Sequence, residues 1–97
     1  MTIIDLIEKL EEEAKKQVDA GKEANGAHGV LEAWYTEMLT LNPRRDHNRF
    51  DSDYYKINGL IWGLKAAYYI TKDEKDQLLE ELTQISNRFY GINDQTP

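Results

Sequence analysis

The chain has 97 residues, with 18 acidic side chains against 12 basic ones and a net charge of −6, enough for one modest domain but ill suited to general nucleic-acid or anionic-membrane binding, which needs clustered cations. It contains no cysteine, which removes disulfides, thiolate metal sites and cysteine nucleophiles and fits a reducing, cytoplasmic compartment. No apolar run approaches the roughly 20 residues needed to span a bilayer, and the charged, amphipathic stretch Met1 to Lys16 lacks the layout of a signal peptide.

The first helix is expected over about 2–20. Thr2 can cap its opening amides, with Asp5 near the positive end of the helix dipole. Ile3, Ile7, Leu10, Ala14 and Val18 then recur at spacings of three and four, which makes one apolar stripe. Glu11 with Lys15 and Glu12 with Lys16 are i,i+4 pairs in the favourable orientation.

Gly21, Gly26 and Gly29 each disfavour a helix interior by up to about 1 kcal/mol. They suggest a break and a second helix over about 24–41, although a heptad-like pattern would also permit one bent helix from Thr2 to Leu41. In either case Val30, Trp34, Met38 and Leu41 are expected to face inward, with Leu31 and Tyr35 on the flank.

Asn42-Pro43 ends that helix, because the residue before proline avoids the α region. The polar stretch 42–51 (NPRRDHNRFD) reads as a long loop, with Ser52 or Asp51 capping a third helix over about 52–70. Tyr54, Ile57, Leu60, Ile61, Leu64, Ala67 and Tyr68 give that helix a broad apolar face, as a central helix would have. Gly59 and Gly63 lie one turn apart and are expected to let another helix, at Gly26, Gly29 and Ala33, approach closely.

Thr71 and Glu74 form a capping-box signature for a fourth helix over about 72–90. Leu78, Leu82, Ile85 and Phe89 line its inner face, and Gly91 is placed to stop it. The third and fourth helices together predict a C-terminal αα-hairpin, and residues 91–97 read as a flexible tail. Strand-like alternation is absent. The fold class expected is all-α: a single domain, 1–97, built as a bundle of three to four helices.

Catalytic chemistry is poorly supplied. Ser52 and Ser86 are the serines, and neither sits on a strand-to-helix elbow. The glycines match no phosphate-binding pattern. Asp46, His47, Asp51 and Asp53 crowd one segment and offer a metal-binding alternative, without the glycine or closing glutamate of a calcium loop. A non-enzymatic protein with no cofactor is therefore expected.

Charge is unevenly distributed: residues 1–40 carry −5, residues 41–65 carry +2 and residues 66–97 carry −3. Two candidate partner-binding surfaces follow. Arg44, Arg45, Arg49, Phe50 and Tyr55 combine arginine with aromatic rings, the residue types enriched at interface hot spots. Glu8 and Glu12 in the first helix and Asp73 and Glu80 in the last belong to acidic rows that could imitate a phosphate backbone and occupy a basic groove.

The segment Ala66-Ala67-Tyr68-Tyr69-Ile70-Thr71, followed by Lys72-Asp73-Glu74, resembles small acidic helical proteins of phages and mobile elements of Gram-positive bacteria, some of them anti-CRISPR inhibitors. The resemblance spans residues 58–82. It implies a protein partner, such as a nucleic-acid-binding effector of host defence, with no direct nucleic-acid or membrane contact. A bacteriocin-immunity-like bundle is the alternative of similar length, and self-association into a homodimer is a further option if the apolar faces do not all close on one another.

Overall fold

The computed structural model describes residues 1–23 and 26–91. They form four helices, α1 (Ile3–Asp19), α2 (Ala27–Thr40), α3 (His47–Ala66) and α4 (Lys72–Tyr90), and the described residues include no strand. The all-α bundle is as expected, and the break after Asp19 makes two helices of the first 41 residues. The tail expected over 91–97 lies, apart from Gly91, outside the described residues.

Local chemistry explains most helix ends. In α1 the Asp5 amide donates to Thr2 Oγ1 at 3.1 Å while the Thr2 amide donates to Asp5 Oδ2 at 2.9 Å. The same reciprocal box joins Thr71 and Glu74 at the start of α4, so two orphan donors are satisfied at each end. At the far end of α1, the Lys22 amide donates to the Gln17 carbonyl at 2.8 Å and the Gly21 amide to Val18 at 2.9 Å. Gly21 takes the left-handed backbone that this closure needs (φ 76°).

The third helix departs from expectation at both ends. It begins at His47, not near Ser52, because the connection fastens itself within five residues. The Asn42 amide donates to Asp46 Oδ2 at 2.8 Å, the Arg44 amide to Asn42 Oδ1 at 2.8 Å, and the Asp46 amide to the Asn42 carbonyl at 2.9 Å. Such side-chain turns close a loop quickly. Arg49 and Phe50 are thus helical, and Ser52 is an exposed mid-helix residue.

Helix α3 stops at Ala66, earlier than the expected 70, in the same closure that ends α1. The Tyr69 amide donates to Leu64 at 2.9 Å and the Tyr68 amide to Lys65 at 3.1 Å. Here the left-handed position is Tyr68, with φ 60°, where glycine is the usual residue.

Each helix packs against the next in chain order. Arg49 and Lys56 of α3 meet Glu37 and Trp34 of α2 in reverse order, and Phe50 and Trp62 meet Phe89 and Lys75 of α4. These neighbours are therefore antiparallel. The N-terminal end of α1 also meets the first half of α4, where the Ile3 amide donates to Glu81 Oε1 at 2.7 Å and the terminal ammonium to Gln77 Oε1.

The shared core contains Ile3, Leu6 and Leu10, Leu31 and Met38, Phe50, Ile57 and Ile61, and Leu78, Leu82, Ile85 and Phe89. Full burial of such a side chain stabilises by about 1.5–3 kcal/mol. Phe50 stacks on Phe89 with centroids 3.9 Å apart. On α2 the expected facing is rotated: Leu31 is buried and Val30 is 45% exposed. Val18 of the α1 stripe is also exposed, as are Ala67 and Tyr68 of the α3 face.

The glycine strip does not bring helices together. Gly59, Gly63, Gly26, Gly29 and Ala33 are all exposed, and a Cβ built on any of those four glycines would meet nothing within 4 Å. Close packing uses the branched side chains of the opposite α3 face instead.

Candidate functional site

The arginine cluster divides between a loop and a helix. Arg44 and Arg45 are exposed on the α2–α3 connection, with Arg45 Nε 3.7 Å from Asp46. Arg49 lies on the first turn of α3 and donates to Glu37 Oε2 at 2.9 Å. Tyr55 is 72% exposed, edge-on to Tyr54. Phe50 is 1% exposed: it is a core residue, and the expected patch loses its central ring because the early start of α3 turns that side chain inward.

The acids and the histidine of the segment 46–53 go to separate partners. Asp46 fastens the loop, and His47 packs against the rings of Phe89 and Tyr90 with Nε2 on the Pro43 carbonyl. Asp51 accepts from the Tyr90 hydroxyl, which pushes that phenol up to about 12. Asp53 is buried elsewhere. Among the described residues no group of three His, Asp or Glu side chains is placed to hold an ion.

The acidic rows are exposed as expected. Glu8, Glu12, Asp73 and Glu80 all face solvent. The ion pairs among the described residues engage Glu11, Glu37, Asp46 and Asp76, so Glu8, Glu12, Asp73 and Glu80 lie outside them. Glu80 accepts a hydrogen bond from Gln84 at 3.2 Å. Capping hydrogen bonds from Thr2 and Thr71 hold the Asp5 and Glu74 carboxyls below their usual range, and Lys72 and Lys75 do the same for Asp76.

A second acidic locus lies between α2 and α3. Asp53 is 3% exposed, and its carboxyl faces that of Glu37 with Oδ2 lacking a donor. Burial first, then the hydrogen bond and charge of Glu37, raise Asp53 to about 6, against the opposing pull of Lys56 and Arg49. When Asp53 is protonated, its carboxyl can donate to Glu37. An open groove of about 800 Å³ runs beside Glu37, lined among others by Glu32, Thr36, Glu37, Thr40, Asp46 and Arg49; Asp53 is not part of that lining.

Sequence reading did not find this pair, although one signal was present. Asp53, Ile57 and Ile61 recur at four-residue spacing, so an aspartate occupies the apolar stripe of α3. A carboxylate on a buried stripe requires a partner.

Comparison with known proteins finds no matching family model, and no curated protein or solved structure significantly similar to the chain.

Proposed function

We propose that the chain is a non-enzymatic protein-binding module, a phage-type inhibitor that acts in the cytoplasm on a nucleic-acid-handling effector of host defence, in the manner of anti-CRISPR proteins. The observation that carries this reading is the set of exposed carboxylates outside ion pairs on two helices, Glu8 and Glu12 on α1 with Asp73 and Glu80 on α4. Fixed negative charges on rigid helices can occupy a basic groove otherwise used by phosphates, and they speed encounter with it. Their capped and paired neighbours Asp5, Glu74 and Asp76 favour the ionised state.

The test is competition. Purified defence nuclease complexes of the host are mixed with labelled target DNA and the wild-type chain, or with Glu8→Lys/Glu12→Lys/Asp73→Lys/Glu80→Lys. Wild type is expected to displace DNA with an affinity that falls steeply with salt, and the variant to lose displacement while keeping its helical spectrum. Failure of the wild type to bind or displace on every complex would rule the reading out.

A further inference from the structure

We propose that the apolar groove at the end of the bundle where α2 and α4 finish and α3 begins is a docking site for an acidic peptide segment of a protein partner. One bulky apolar side chain of that segment enters the groove, and a neighbouring carboxylate meets Arg88. Surface, sign of charge and partner segment all differ from those of the acidic rows, so the site stands apart from the function proposed above.

The groove has a volume of about 230 Å³. Its floor is Met38, Phe50, Ile85 and Phe89, none more than 9% exposed, whereas Leu39 at its rim is 52% exposed. Among the described residues that line it, seven are apolar and one, Arg88, is charged. Phe50, which the sequence placed in a surface patch of arginines, thus belongs to that patch from beneath, stacked on Phe89.

Size argues for a side chain. Small-molecule and cofactor sites occupy roughly 300–1,000 Å³, and a smaller groove open at its rim suits one or two apolar anchor residues of a docked segment.

Charge argues for an acidic one. Arg88 is exposed, its charge reaches Tyr35 beside Glu81, and the ion pairs among the described residues do not engage it. Arg44 and Arg45 do not line the groove, but they follow Pro43, which does, and both are exposed. Arg45 is shared with Asp46 at 3.7 Å, and Arg44 lies outside the ion pairs among the described residues. Residues 41–65 are the one positive stretch of an acidic chain, and Asp73 stands about 22 Å back along α4 from Arg88. An acidic segment is therefore repelled by the rows on α1 and α4 and drawn to this end.

The test titrates peptides into the isotope-labelled full chain, read by amide and methyl NMR. The probe is a short peptide of glutamates with one central phenylalanine; one control carries serine in place of the phenylalanine, and another lysines in place of the glutamates. The probe is expected to shift Leu39, Ile85 and Arg88, the serine control to bind at least about tenfold more weakly, and the lysine control to leave the groove unmoved. Arg88→Gln should weaken the probe about two- to fivefold, Arg88→Lys should restore most of that, and Leu39→Glu should abolish binding. Both positions are exposed, so an unchanged helical spectrum accompanies each loss.

Absence of groove shifts with the probe, or equal binding of the serine or lysine control, would overturn the proposal. Groove shifts that grow with protein concentration and no peptide would assign the groove to a second copy, and decanoate binding where the probe does not would assign it to a fatty-acid carboxylate; either overturns it as well. None of these outcomes bears on displacement of DNA by the acidic rows, which the competition experiment tests separately.

Discussion

Lys9 holds Tyr69 at two points: its ammonium donates to the Tyr69 carbonyl oxygen at 2.9 Å and stands 4.5 Å from the centre of the Tyr69 ring. Together with the Tyr69 hydroxyl, which donates to the Lys9 carbonyl at 3.4 Å, the pair ties α1 to the turn between α3 and α4. Charge-assisted hydrogen bonds contribute about 1.5–3 kcal/mol when desolvated, and cation–π contacts about 0.5–1 kcal/mol at exposed sites. At this half-buried site Lys9→Met is expected to cost about 1–2 kcal/mol, read by urea denaturation. Amide exchange should rise first in the N-terminal half of α1.

Tyr68 sits at the left-handed closing position of α3 and is 92% exposed, whereas α1 and α4 use Gly21 and Gly91 with positive φ at their ends. A side chain there costs about 1–2 kcal/mol, with no burial to offset it. Tyr68→Gly is expected to raise stability by about 1 kcal/mol, or roughly 4–8 °C in Tm for a domain of this size. Gly21→Ala should lower it by a similar amount. A neutral or destabilising Tyr68→Gly would show that the tyrosine makes a compensating contact.

The pH dependence of stability has two limbs. Asp53, near 6 when folded against 3.8 in the open chain, binds its proton more tightly in the native state, so its contribution is lost as pH rises from about 4 to just above 6. Asp5, Glu74 and Asp76 are shifted down, and their contribution is lost as pH falls below the ordinary carboxylate range. Stability is expected to peak at about pH 4–5. Asp53→Asn should flatten the upper limb and stabilise the protein at neutral pH by on the order of 2 kcal/mol, and Arg49→Ala should steepen that limb. Thermal melts across the range check all three.

Phe50 and Tyr55 give a direct contrast between core and surface. Phe50 is stacked on Phe89 and almost fully buried, and Tyr55 is mostly exposed. Phe50→Ala is expected to cost about 3–5 kcal/mol through the cavity it leaves, enough to unfold much of so small a domain. Tyr55→Ala should stay within about 0.5 kcal/mol. Denaturant midpoints of the two variants decide the matter.

By itself the sequence determined what depends on neighbours along the chain. The Thr2 cap, the capping box at Thr71 and Glu74, the left-handed stop at Gly91 and the inward row Leu78, Leu82, Ile85 and Phe89 follow from spacing alone, because a helix repeats every 3.6 residues and its end groups must find donors or acceptors within a turn. Tertiary structure decided where local rules compete. Asn42 and Asp46 closed their loop early and so put Phe50 in the core; Tyr68 accepted a glycine's place in a closure driven by two backbone hydrogen bonds. Exposure of Gly59 and Gly63 was likewise a matter of packing, since apolar burial rewards the Ile57 and Ile61 face far more than a bare strip. The Glu37–Asp53 pair joins side chains sixteen positions apart, and only the docking of α2 on α3 could bring them face to face. What a carboxylate on an apolar stripe meets is set by the neighbouring helix, not by its own.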